Sequence, residues 1–241
     1  MAGPRSAIAT APSGNSVTVA PGWHTAVLVA LYLSVAFVGL LRSNQSVPTS
    51  PPHVDVDRVV GSYVPLILVQ IVSIAYVARI GRPRGTLKSL IGTRWDSVRR
   101  GAEDLAIAFL GWLAITAIEI VWAHLFASVG AAGSVRTLLP QSPSERAMWI
   151  VVAACVGFGE EVVFRGYLQT QFAAITGRVS LAIVLQAMVF GLAHGDQGAA
   201  GAARAAIYAV GFGVMAQRRR SLVPGIACHV WTDLASGLWR I

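Results

Sequence analysis

Glu160-Glu161-Val162-Val163-Phe164-Arg165-Gly166 lies inside an apolar run that extends from 146 to 173. A run of that length can cross a membrane as a helix. It therefore places two carboxylates and a guanidinium where hydrocarbon makes ionised groups expensive. Two later apolar segments carry His194 and the pair His229 and Asp233. Ionisable groups retained in three apolar segments point to chemistry within the bilayer.

The whole chain has the composition such a setting requires. Of its 241 residues 55% are hydrophobic and only 12% charged, with a mean hydropathy of +0.63. Soluble domains carry about 25% charged residues, roughly twice as many. The formal charge of +8 raises the question of nucleic acid. However, Arg79, Arg82, Arg84, Lys88, Arg94, Arg99 and Arg100 gather around one loop between apolar segments. That is the distribution of positive-inside topology, so nucleic acid is not an expected partner. Cys155 and Cys228 both sit in apolar segments and form neither a disulfide framework nor a metal motif.

Residues 1 to 20 are rich in Ala, Ser, Gly, Pro and Thr and read as a loose tail. Arg5 is distant from the next apolar stretch and Pro21 intervenes, so residues 24 to 41 read as a retained first span rather than a signal peptide. Further spans are expected at 61 to 80, 102 to 128, 146 to 173, 179 to 194, 201 to 217 and 221 to 239. The expected fold is thus all-α, a polytopic membrane helical bundle of seven spans. Residues 21 to 141 would supply the N-terminal helices and loops, and 142 to 241 a catalytic membrane core. Pro48, Pro51, Pro52, His53, Asp55 and Asp57 mark 42 to 60 as an external loop. With alternating spans, Arg178 and Arg218-Arg219-Arg220 fall on the same cytoplasmic side as the basic loop, with the N-terminus inside.

The fourth span has a marked start: Ser142 at the cap, Pro143 at the first helical position and Glu145 completing a capping box. Counted from the inner ends of their spans, Glu160 and His194 each lie about 21 Å deep and Asp233 about 18 Å. The three segments can therefore present their polar groups at one level. Glu161 and Arg165, four residues apart, share a helix face and form a charge-compensating structural pair. Glu160 points about 100 degrees away and is free to face a cavity. His229 and Asp233 repeat the four-residue spacing, so Asp233 either orients the imidazole or contacts substrate. Amide hydrolysis needs a base for water and a donor for the oxyanion. Glu160 with His194 fits the first need and His229 the second.

Glu160-Glu161-x-x-x-Arg165, Phe190-x-x-x-His194 and His229-x-x-x-Asp233, in that order and with Phe164-Arg165-Gly166 continuing the first, resemble the CAAX protease and bacteriocin-processing family. This is the CPBP or Abi family of intramembrane proteases, and the likeness covers 142 to 239. It implies a CAAX-protease-like helical core, peptide-bond cleavage by glutamate-activated water, and a membrane-associated or lipid-linked peptide substrate. It also implies catalytic roles for Glu160, His194, His229 and Asp233, in a multi-pass protein of the cell membrane. The eukaryotic and archaeal relatives remove a tripeptide after a prenylated cysteine, and they carry Asn where this chain has Asp233. Their chemistry opens towards the cytosol, whereas the depth count puts His194 nearer the far end of its span. Bacterial relatives often carry the label metalloprotease. Two histidines and Glu160 would meet the ligand count of zinc, but a glutamate-water mechanism needs no metal, and the favoured expectation is no cofactor.

Two other classes of function fit an apolar helical bundle: a non-enzymatic membrane scaffold or partner-binding protein, and a small-solute transporter using the same charges as a polar pathway. Glu119 and His124 in the third span show no recognisable partner in sequence, which leaves interior hydrogen bonding, cavity lining and chemistry open. Trp23, Trp149 and Trp239 read as interfacial, and Trp112, Trp122 and Trp231 as core. Asp196 either caps the next helix or influences His194.

Overall fold

Ser142 starts the central helix of the molecule. Its hydroxyl accepts from the Glu145 backbone and the Glu145 carboxylate accepts from the Ser142 backbone, with Pro143 in the first turn. Arg58 then grips both Glu145 oxygens at 2.9 and 2.8 Å. This cap is therefore tied to the start of an earlier helix as well as to its own backbone.

The computed structural model describes residues 18–43, 58–81, 87–92, 97–126 and 138–239. Among them are nine α-helices and no strand: α1 Gly22–Ser43, α2 Val64–Gly81, α3 Leu87–Ile91, α4 Val98–Leu125, α5 Pro143–Glu160, α6 Gln169–Thr176, α7 Val179–Ala193, α8 Gly198–Arg219 and α9 Val223–Leu238. A wide π-helical turn, Val59–Tyr63, leads into α2. A second, Glu161–Leu168, joins α5 to α6 without a break, so Pro143–Thr176 is one helix of 34 residues. All of Arg82, Arg84, Arg94, His53 and residues 1 to 17 lie outside the described residues, as does most of the loop read at 42 to 60.

Five helical stretches are long and apolar enough to cross a membrane: Gly22–Leu41, Val59–Gly81, Val98–Leu125, Pro143–Thr176 and Gly195–Arg219. They make the protein a polytopic helical bundle. The other two of the seven expected spans are shorter, with 15 residues in α7 and 16 in α9. At 1.5 Å per residue they rise about 23 Å, short of a hydrocarbon core of about 30 Å. Both pack against longer neighbours, and both carry site residues.

Pro143–Thr176 is the most buried of the five, and α4, the least, lies at the periphery. Phe37, Leu68, Leu110, Val121, Ile150 and Met188 are all exposed, an apolar exterior fit for lipid. Small residues let the helices approach closely. A Cβ on Gly157 of α5 would lie 2.7 Å from the Val230 side chain of α9, and one on Gly191 of α7 would lie 2.7 Å from the Ala202 carbonyl oxygen of α8. Trp149, read as interfacial, is instead buried: its indole lies against Gly237 and donates to the Asp233 carbonyl oxygen at 2.8 Å, tying α5 to α9. At the other end of the bundle, Arg219 of α8 meets Asp104 of α4 at 2.6 Å.

The end of the expected loose tail is anchored. Gln171 of α6 accepts from the backbone N–H groups of Val19 and Ala20 and donates to the Ala20 carbonyl oxygen at 2.7 Å. The N-terminal helices also reach the core. Tyr32 of α1 sits edge-on to Phe164 and donates to Gln70 of α2, whose side chain lies over Gly159.

Candidate active site

Glu160 closes α5 and Glu161 opens the π-helical turn, so the two acids flank a change in helical pitch. Wide turns of this kind leave the ordinary ladder of helix hydrogen bonds and recur at functional sites. Every residue of Glu161–Leu168 is buried. Glu161 Oε1 lies 2.9 Å from an Arg165 terminal nitrogen, with both side chains wholly shielded from solvent. The pairing read from the four-residue spacing is present. None of the three Arg165 nitrogens makes an aligned hydrogen bond. Its guanidinium lies instead against aromatic faces, 4.5 Å from the Phe190 centroid, 5.1 Å from Phe212 and 5.9 Å from Phe164.

His229 projects from α9 into this acid pair. Its Nδ1 is 3.2 Å from Glu161 Oε1, the oxygen that also meets Arg165. An ionised carboxylate only accepts, so beside ionised Glu161 the shared proton sits on Nδ1. On the opposite edge Nε2 is 3.7 Å from Glu160 Oε2 and 3.8 Å from Asp233 Oδ2. Those separations exceed a hydrogen bond. Glu160 Oε2 and Glu161 Oε2 are buried, and no donor among the described residues reaches either. Gly225 makes room for Glu161, since a Cβ there would lie 2.8 Å from Oε2. Three carboxylates thus face one arginine and one histidine, a set that keeps one net negative charge even with His229 protonated and is neutral only when one acid also holds a proton.

His194 caps α7 and stands slightly apart. Its Nδ1 donates to the Phe190 carbonyl oxygen at 2.8 Å, because a carbonyl only accepts. In the neutral ring this leaves Nε2 as an acceptor. The imidazole centroid is 4.4 Å from Phe190, which in turn is 6.2 Å from His229. Direct contacts therefore gather Glu160, Glu161, Arg165, His229 and Asp233, while His194 joins through Phe190. It stands at the end of α7 opposite Arg178. Among the described residues, no three His, Cys, Asp or Glu side chains are grouped as the ligands of a metal ion.

Other polar residues resolve into supporting contacts. Glu119 pairs with Arg204 of α8 at 2.9 Å, a partner the sequence does not reveal because the two lie 85 positions apart. His124 Nδ1 donates to the Ile120 carbonyl oxygen of its own helix at 2.8 Å. Asp196 packs against Gly39 of α1. Phe212 was not legible as a site residue: a phenylalanine in an apolar helix has no local mark of function, and only the stack on His229, at 5.1 Å and 14°, exposes it.

Residues 142–235 match the family model described as type II CAAX prenyl endopeptidase Rce1-like. No curated protein and no solved structure matches the chain.

Proposed function

We propose, from the membership of residues 142–235 in the Rce1-like CAAX protease family, that this multi-pass membrane protein is an intramembrane endopeptidase. Its substrates are membrane-associated or lipid-linked peptides, and a glutamate-activated water performs the hydrolysis. The observation that carries the reading is Glu160: a buried carboxylate whose Oε2 has no protein donor, held 3.7 Å from the His229 imidazole inside an apolar bundle.

In the reaction Glu160 removes a proton from water as the oxygen attacks the scissile carbonyl carbon. The acceptor nitrogen of His194 holds that water. The C–O bond forms, and negative charge develops on the former carbonyl oxygen. His229, protonated on both ring nitrogens, donates from Nε2 to this oxyanion, while Nδ1–H donates to Glu161 on the opposite edge of the ring. Collapse breaks the C–N bond, and Glu160 returns its proton to the leaving amine. Asp233, on the same face of α9 and 3.8 Å from Nε2, contacts the substrate beside His229. Glu161 and Arg165 are structural, and every step proceeds without a metal.

The test is cleavage by protein reconstituted in liposomes, with mass spectrometry of products from an unbiased set of membrane peptides and from a peptide ending in a prenylated cysteine motif. Cleavage by wild type and none by Glu160→Gln is the expected result. Solute flux without any proteolysis would replace the reading with transport, and neither activity would favour a scaffold.

A further inference from the structure

Phe212 lies on α8, between the segments that bear His194 and His229, and is buried. Its ring stacks almost parallel on His229, with centroids 5.1 Å apart and planes inclined by 14°. The same ring lies 5.1 Å from the Arg165 guanidinium carbon, and Phe190 of α7 lies 4.5 Å from that carbon. Both distances are within the range of cation–π attraction. Phe190 also contacts His194 at 4.4 Å. One aromatic layer, contributed by α7 and α8, therefore touches the buried cation and both imidazoles.

The in-plane contacts of His229 leave one motion open. Nδ1 has a partner at 3.2 Å, whereas the Nε2 contacts at 3.7 and 3.8 Å are too long to fix the ring. The second side-chain torsion of histidine is broad, so a single hydrogen bond permits the ring to tilt. A stacked ring opposes that tilt.

The helix that carries Phe212 is itself locked in register. Gln186 of α7 donates to the Ala209 carbonyl oxygen at 2.9 Å, and Gln169 of α6 donates to the Gly213 carbonyl oxygen at 3.1 Å. Both amide side chains are buried, and the two carbonyls bracket Phe212 along α8. Gly213 permits this approach, since a Cβ there would lie 2.7 Å from Gln169 Oε1.

We infer that Phe212 is a positioning residue: it fixes the plane of the His229 imidazole and, with Phe190, clamps Arg165 between aromatic faces. The catalytic consequence rests on the proteolytic reading above, but the ring plane does not.

The test joins a spectroscopic measurement to kinetics. Protein carrying 13C-labelled histidine is prepared in nanodiscs as wild type, Phe212→Leu and Phe212→Tyr, with the His229 ring signals assigned by their loss in His229→Asn. Phe212→Leu removes the ring current and should shift those signals, while Phe212→Tyr should leave them near the wild-type positions. Phe212→Leu should also lower kcat by roughly 10- to 100-fold, the scale of a displaced catalytic group, with KM unchanged, and Phe212→Tyr should restore most of the rate. Phe212→Met makes the same comparison if the leucine variant does not fold. Unshifted His229 signals in a folded aliphatic variant would overturn the inference, as would a folded Phe212→Tyr as impaired as Phe212→Leu. If wild type and Glu160→Gln cleave alike, the proteolytic reading falls and the His229 signals still decide the ring plane.

Discussion

Arg165 and Glu161 are held 2.9 Å apart with no exposure to solvent, so removing either partner strands the other. Loss of one member of a buried pair costs about 3 to 5 kcal/mol. Arg165→Ala should therefore reduce the yield of folded protein and lower its unfolding temperature in detergent, and equal stability with wild type would refute the pair as a structural element. Glu160→Gln, which removes an ionisable base but leaves the buried Glu161–Arg165 pair intact, should leave the unfolding temperature near that of wild type. The division between these two neighbouring acids is legible in the sequence because four-residue spacing puts Glu161 beside Arg165 and leaves Glu160 apart. The same spacing places His229 beside Asp233. It does not reveal that His229 also reaches Glu161, 68 positions earlier, because that contact depends on how α9 packs against the π-helical turn. Phe212 and the Arg204 partner of Glu119 escape the sequence for the same reason.

Helix packing around the site depends on glycines whose neighbours come within the reach of a single carbon. A Cβ on Gly157 would meet Val230 of α9 at its side chain, 2.7 Å away, and at its backbone nitrogen, 3.0 Å away. The backbone cannot yield as a side chain can, so Gly157→Ala should force α5 and α9 apart, at a cost of about 1 to 3 kcal/mol. Gly211→Ala is the matched control, because a Cβ there meets nothing within 4 Å. Removing the conformational freedom of that glycine within α8 should be neutral or stabilising. Thermal unfolding of the two variants in the same detergent checks the contrast, and equal effects would contradict the packing. Among the elements themselves, the Ser142 capping box and the apolar runs are legible because capping and hydropathy are local. The π-helical turn Glu161–Leu168 is not, since no residue type distinguishes it from the α-helix on either side. The short α7 and α9 read as spans from their apolar composition, yet their 15 and 16 residues rise only about 23 Å.

For the molecule as a whole, basic residues at helix ends predict a single orientation. Arg178, between α6 and α7, and Arg218 and Arg219, at the end of α8, should face the cytoplasm, and the Gln141 end of α5 should face outward. With Cys155 and Cys228 replaced, a cysteine at Arg178 should resist an impermeant thiol reagent applied to intact cells, and one at Gln141 should react. The reverse pattern would invert the topology. In the proposed reaction the buried Glu160 is the base that makes an intramembrane peptidase of this bundle. The most direct test of that role is the cleavage rate of purified protein in liposomes on one membrane peptide, for wild type and Glu160→Gln, before and after complete metal removal. A loss of roughly 100-fold or more is expected in the variant, the scale of a general base, with an unchanged wild-type rate without metal. A Glu160→Gln protein that cleaves at the wild-type rate would contradict that role, and a wild-type rate that vanishes on metal removal and returns with stoichiometric zinc would contradict the metal-free mechanism.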